Sequence, residues 1–362
     1  MKLIDIVAGA RPNFMKIAPI IEALESEAAA KLEYRLIHTG QHYDKAMSGS
    51  FFEQLGIPEP AVNFGVGGGT QAEQTGGIMI AYETLLNERI SDLCLVVGDV
   101  TSTMACTITA KKMGVRVAHV EAGIRSGDLS MPEEINRMAT DALTDLFFTT
   151  SETANAELRR CGADDKKVFF VGNTMIDTLF KQRPHFKAPP CWAELGLESG
   201  QFLVLTLHRP ANVDEANQLS AMLEAIIAGA NGLPIIFPTH PRTRKVLERG
   251  SPAANSLYLV DPLPYFEFNH LVSNALGVIT DSGGITEETT VMGIPCMTLR
   301  DSTERPETIT IGTNELVGTN PSNLAPYLER LCAGNWKEGK IPDKWDGMTG
   351  KRIVEVLARE LA

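Results

Sequence analysis

The 362-residue chain reads as an α/β protein with two doubly wound, Rossmann-like parallel-sheet domains. Three observations predict this. Short apolar runs alternate with segments of helical periodicity, the pattern of a parallel sheet covered on both faces. The alternation starts afresh after about residue 171. The length also exceeds what one hydrophobic core usually sustains, about 250–300 residues. We therefore expect a first domain over 1–171 and a second over 172–350, with a final helix at 351–362 able to pack on either.

Each element follows from local pattern. Residues 3–8 form a strand, and Phe14, Ile17, Ile20, Ile21 and Leu24 then recur at helical spacing. A strand at 34–39 precedes a helix at 45–55, which Gly56 and Pro58 end. Helix 75–89, strand 93–98, helix 103–113, strand 116–121, helix 133–143 and strand 146–150 complete the first half. The second half has strands at 202–207, 235–239, 257–260, 277–280 and 295–299. The stretch 183–190, rich in proline and polar residues, is a connection.

Composition excludes several classes. The net charge of −12 argues against a nucleic-acid surface. An anionic ligand must therefore meet a local cluster of cations and backbone N–H groups. Cys94, Cys106, Cys161, Cys191, Cys296 and Cys332 show no metal or redox spacing and read as thiols of a reducing compartment. The opening residues 1–7 carry Asp5 and form a strand, with no signal peptide expected. No apolar run approaches the roughly 20 residues that span a bilayer. A cytoplasmic protein without membrane or nucleic-acid partners is expected.

Ligands of doubly wound sheets bind beyond the carboxyl ends of the strands, and chemistry-bearing residues fall there. The segment 280–288, Thr-Asp-Ser-Gly-Gly-Ile-Thr-Glu-Glu, follows a strand and opens a helix. Backbone N–H groups at Ser282, Gly283 and Gly284 meet the favourable end of the helix dipole, and glycine lets a phosphate approach. Glu288 is placed to accept sugar or ribose hydroxyls. Arg11 and Lys16 stand in a strand-to-helix turn that lacks the dinucleotide-binding glycine pattern. They either clamp a phosphate or sit on a solvated helix start. Asp99 reads as an acid/base group or a helix N-cap, and Glu133 as acid/base or compensation of a helix dipole. Glu121 ends a strand beside Gly123 and is harder to explain as a cap. Three carboxylates in one cleft split their pKa values and suit proton transfer. His208, followed by Arg209, is the histidine best placed to meet a departing phosphate, whereas His38, His119 and His240 read as packing residues. Arg305 lies in the charged loop 300–307, either a solvated turn or a reach toward the ligand. No metal motif occurs, so no metal is expected.

The motifs HVEAG (119–123), MPEE-x-NR (131–137), GNT-x-ID (172–177), TDSGG-x-x-EE (280–288) and RD-x-TERPE (300–307), in this order, resemble the non-hydrolysing UDP-N-acetylglucosamine 2-epimerase family. The resemblance runs from residues 9–16 to Asp346-Gly347. It implies a GT-B arrangement with the active site in the interdomain cleft, a C-terminal helix crossing back to the first domain, a homodimer, and no cofactor. It implies a reaction in which UDP is eliminated across C1–C2 of the sugar to give 2-acetamidoglucal, then re-added after protonation of the opposite face. Matched residue by residue, Asp99, Glu121 and Glu133 correspond to the catalytic carboxylates and His208 to the histidine beside the leaving group. Arg11, Lys16, Ser282, Gly283, Gly284, Glu288 and Arg305 correspond to UDP-sugar contacts, and Phe268 to the aromatic beside uracil.

The chain departs from the family pattern in three places. Arg-Glu after His-Arg is here Pro210-Ala211, a usual glutamine is Leu263, and Tyr43 replaces the arginine of allosteric members. The last change also resembles relatives that epimerise UDP-2,3-diacetamido-glucuronic acid. Those tend to lose the Arg-Pro retained here as Arg305-Pro306, so UDP-GlcNAc is the expected substrate. A GT-B glycosyltransferase and a non-catalytic UDP-sugar sensor are the remaining alternatives.

Overall fold

The computed structural model describes residues 1–26, 31–40, 52, 55–213, 216–239, 244, 247 and 255–362, without the side chains of Arg11, Pro210, Ala211 and Ala216. Most of the expected helix 45–55, together with His42, Tyr43 and His240, lies outside the described residues.

Two compact units emerge. The first comprises Met1–Lys181 and Asp343–Ala362, the second Gln182–Pro342. In the first unit, strands β1 (Lys2–Ala8), β2 (Leu32–His38), β3 (Val62–Asn63), β4 (Leu93–Val97), β5 (Arg116–Val120), β6 (Leu146–Thr149) and β7 (Val168–Phe170) form one sheet in the order β3-β2-β1-β4-β5-β6-β7. In the second, β8 (Leu203–Thr206), β9 (Ile235–Pro238), β10 (Leu257–Val260), β11 (Gly277–Thr280), β12 (Cys296–Thr298) and β13 (Asn314–Leu316) give β10-β9-β8-β11-β12-β13. All strand pairs among the described residues are parallel. In both sheets the winding direction reverses beside the first strand, between β1 and β4 and between β8 and β11. Such a reversal opens a crevice at the strand carboxyl ends.

The central strands are buried along their length, which is why they read as unbroken apolar runs. One exception sits inside β1. Asp5 is fully buried and meets Arg35 of β2 through two bonds of 2.7 and 2.9 Å, and accepts the Tyr82 hydroxyl at 2.9 Å. Strand register places Asp5 opposite Arg35, so the two charges neutralise each other across the ladder.

The helices Arg11–Leu24 and Thr349–Glu360 pack on each other within the first unit. Trp345, fully buried, donates its indole N–H to the Thr150 carbonyl at 3.0 Å, and the Gly350 N–H donates to Asp177 at 2.8 Å. Arg116 closes the far end by donating to the Glu360 carbonyl at 2.9 Å. No helix among the described residues is long and apolar enough to cross a membrane.

Candidate active site

The first unit gathers its polar residues at the β1/β4 switch point and at the neighbouring end of β5. The turn after β1 is closed by Asn13, whose Oδ1 accepts the N–H groups of Gly9 and Ala10 at 3.1 and 2.9 Å. Its amide donates to the Val97 carbonyl at the end of β4 at 3.2 Å. A Cβ on Gly9 would stand 2.1 Å from the Ser102 hydroxyl, so only glycine admits this close approach. One turn along the helix, Lys16 reaches the Glu121 carboxylate at 2.8 Å. Arg11 opens the same helix, with its side chain outside the description.

Glu121 is buried and has a φ of +71°, a left-handed backbone unusual for a residue with a side chain. Two adjacent N–H groups, Glu121 and Ala122, donate to the Phe148 carbonyl at 2.9 and 3.1 Å. That contact holds the turn immediately beyond β5. On the next strand end, Asp99 does not cap the helix Thr101–Lys112, since Val100 occupies that position. Asp99 instead pairs with Arg137 at 2.5 Å, and its carbonyl accepts from Asn136 at 2.8 Å.

Both partners of Asp99 come from helix Pro132–Leu143, which is built inside out. Its buried face is polar, with Glu134, Asn136, Arg137, Thr140 and Asp141, while Ile135, Met138 and Leu143 are exposed. Glu134 accepts the N–H groups of Ser126 and Gly127 at 2.9 and 3.0 Å and pairs with Arg137 at 2.7 Å. Asp141 accepts the Gly123 N–H at 3.0 Å and faces His119 Nδ1 at 2.7 Å and Arg125 at 2.7 Å. Burial alone raises the Asp141 carboxyl, but the His119 and Arg125 contacts outweigh it and hold it below the ordinary value. Glu133 stands in the first turn of this helix, half-buried, with no hydrogen bond or ion pair to any described residue. Lys16, Asp99, Glu121 and Glu133 are thus carried on two neighbouring strand ends, one facing helix start and one helix pinned to both strand ends.

The second unit repeats the geometry. His208, beyond β8, faces Asp281 beyond β11 at 2.7 Å, with its side chain 61% exposed. Asp281 is fully buried and also accepts the Arg209 N–H at 2.9 Å and the Asn212 amide at 3.0 Å. Burial pushes the Asp281 carboxyl up, yet His208, Asn212 and the Arg209 N–H carry it below its ordinary value. Ser282 caps helix Gly283–Met292 with extended backbone, its N–H donated to the Thr280 hydroxyl at 3.0 Å. A Cβ on Gly283 would meet only Arg300, 4.0 Å away, so that surface is open to an incoming group.

Further along this helix, Glu287 pairs with Arg305, and Glu288 accepts the Tyr265 hydroxyl at 2.7 Å. Burial lifts the Glu288 carboxyl to about 7, with the Tyr265 contact opposing and Glu287 adding to the rise. Arg300 makes two 2.6 Å contacts with Glu304. Phe268, Leu263 and Ile285 are partly buried against one and the same hydrophobic core cluster. His119 is a buried histidine with both nitrogens engaged, as a packing residue should be, and His38 stacks on Phe14 at 5.2 Å.

The UDP-N-acetylglucosamine 2-epimerase family model matches residues 24–358. The chain belongs to that family. It is 39% identical over 370 residues to the UDP-N-acetylglucosamine 2-epimerase of Methanocaldococcus jannaschii, covering 99% of each chain. It is 38% identical over 364 residues to the UDP-2,3-diacetamido-2,3-dideoxy-D-glucuronate 2-epimerase of Pseudomonas aeruginosa, covering 99% of this chain and 100% of that one. The crystal structure of the Methanocaldococcus jannaschii UDP-GlcNAc 2-epimerase in complex with UDP-GlcNAc and UDP superposes with a TM-score of 0.84 at 37% identity, covering 99% and 100% of the two chains. This is a family of isomerases.

For a 2-epimerase family member, the residues that sequence reading left out are the supports: Asp281, Asn136, Arg137 and Asp141. Asp281 stands inside the TDSGG motif and Asn136-Arg137 inside MPEE-x-NR, so position in a motif was the available signal. Asp141 carries no motif, and only its burial reveals it.

Proposed function

We propose that this enzyme interconverts UDP-GlcNAc and its C2 epimer by eliminating and re-adding UDP through a 2-acetamidoglucal. The observation that carries this reading is the set of three carboxylates, Asp99, Glu121 and Glu133, fixed at one edge of the first unit with Lys16 against Glu121. The C2 proton of the sugar is weakly acidic, so its removal needs positioned bases, and inversion needs groups serving both faces. Lys16 sets a cation 2.8 Å from the Glu121 carboxylate. In the second unit, the open N-terminal turn at Ser282, Gly283 and Gly284 suits the pyrophosphate, and His208, oriented by Asp281, suits the departing β-phosphate. Arg11 and Arg305 complete the phosphate and sugar contacts, Glu288 takes the ribose hydroxyls, and Phe268 lies beside uracil.

The relative that acts on a diacetamido-glucuronate supports that sugar as the second reading. The retained Arg305-Pro306 favours UDP-GlcNAc. Free thiols at all six cysteines fit a cytoplasmic enzyme. We also propose a homodimer, supported by the exposed apolar row Leu129, Ile135, Met138 and Leu143.

The test is proton NMR of UDP-GlcNAc incubated in D2O without an acceptor. Deuterium at C2 of a UDP-linked epimer is expected, and Glu121→Gln should slow it by about 100-fold or more with UDP affinity nearly kept. Absence of exchange in the wild type, or exchange at the wild-type rate in Glu121→Gln, overturns the mechanism.

A further inference from the structure

We infer that Asp141 and His119 are positioning residues for this reaction, joining the two strand ends that carry Asp99 and Glu121 into one rigid frame. The inference rests on the carboxylate reading above. Neither residue is placed to touch substrate: His119 is fully buried and Asp141 is 7% exposed. What they touch is the backbone of the site. Asp141 Oδ1 faces His119 Nδ1 at 2.7 Å and Oδ2 accepts the Gly123 N–H at 3.0 Å. Glu121 lies midway between those two residues, so Asp141 grips the chain on both sides of it. His119 then passes the contact sideways. Its Nε2 faces the Gly98 carbonyl at 2.9 Å, one residue before Asp99. Both ring nitrogens are therefore turned toward oxygen acceptors, a carboxylate on one side and a carbonyl on the other. The Gly98 N–H in turn donates to the Val120 carbonyl at 3.0 Å, closing a ring of bonds between β4 and β5.

Two features give this frame catalytic weight. Glu121 holds a left-handed backbone that its own side chain disfavours, and such a turn persists only where neighbours over-determine it. Helix Pro132–Leu143 also carries Glu133 in its first turn and binds Asp99 through Asn136 and Arg137. Asp141 therefore completes a single scaffold from which all three carboxylates are aimed. A displacement of about 1 Å at such a group costs roughly 100-fold in rate.

The experiment measures kcat and KM for C2 deuterium incorporation, UDP affinity by calorimetry, and thermal melting. Asp141→Asn keeps the shape but offers one acceptor oxygen where the carboxylate meets His119, Gly123 and Arg125. His119→Gln keeps a donor toward Gly98 and loses Asp141; His119→Asn does the reverse. Asp145→Asn is the control. At the other end of β5 it loses contacts to Lys111 and the Val117 N–H, each 2.8 Å, which hold structure far from the carboxylates.

The expected result is a fall in kcat of about 10- to 100-fold in Asp141→Asn and in both His119 variants. KM and UDP affinity should stay within about threefold, and Asp145→Asn should lower melting alone. Should Asp141→Asn fail to fold, the His119 pair decides. A folded variant with kcat within threefold of wild type overturns the inference. So does a loss of UDP affinity in proportion to kcat, which marks a merely structural role. Glu121→Gln runs in parallel: if it turns over normally, the carboxylate reading fails and takes this inference with it. If it fails to turn over while the positioning variants are unaffected, only the frame is wrong.

Discussion

At the scale of single residues, burial decides what each carboxylate does. Glu288 is 4% exposed, and burial lifts its carboxyl from 4.5 to about 7. Between those values the folded chain keeps a proton that the unfolded chain has released. Stability therefore falls as pH rises through this window, by roughly 3 kcal/mol in all. Glu288→Gln should flatten this dependence. Urea midpoints at about pH 5 and about pH 8 check it: wild type should lose clearly more than the variant, and equal losses would detach Glu288 from the effect. Motif residues such as Ser282 and Glu121 were legible because their types and strand-end positions carry chemistry. Asp141 and Thr140 were not. A polar residue inside a helix reads as solvent-facing, and nothing local says that this helix turns its polar face inward.

At the scale of elements, length governs what can be read. The long buried strands β1, β4, β5 and β11 declare themselves as apolar runs. β3, β7 and β13 hold two or three residues each and the sequence reading passed over them, whereas β12, also three residues, was read because it lies within the longer stretch 295–299. Asp5 shows what a strand tolerates when its partner strand answers. Asp5→Ala leaves the buried Arg35 without its counter-charge and should destabilise the chain by about 3–5 kcal/mol. Replacing both, as Asp5→Leu with Arg35→Met, should restore most of the loss. Equilibrium denaturation of the two variants measures this, and a double variant as unstable as the single one would contradict the pairing argument.

At the scale of the molecule, alternation of strand and helix announced the two parallel sheets, and both appear with the same switch in winding. Assignment of the closing segment to the first unit depends on contacts across long sequence separations, such as Trp345 with Thr150 and Gly350 with Asp177. No local pattern encodes those. The inverted helix has a further consequence at this scale. Its exposed Ile135 and Met138 lie three residues apart on one face. In the proposed homodimer that face is covered, so Ile135→Asp combined with Met138→Asp should shift the mass in solution from two chains to one. Light scattering reads this directly, and a wild type that runs as a single chain removes the proposal.

The left-handed backbone at Glu121 carries an evolutionary consequence. Glycine holds that torsion freely, so Glu121→Gly would relieve of order 1 kcal/mol of conformational tension while deleting the carboxylate proposed above for proton transfer. A laboratory selection for heat resistance, blind to turnover, would drift toward that change. On the proposed mechanism, the glutamate endures there only while catalysis is being selected.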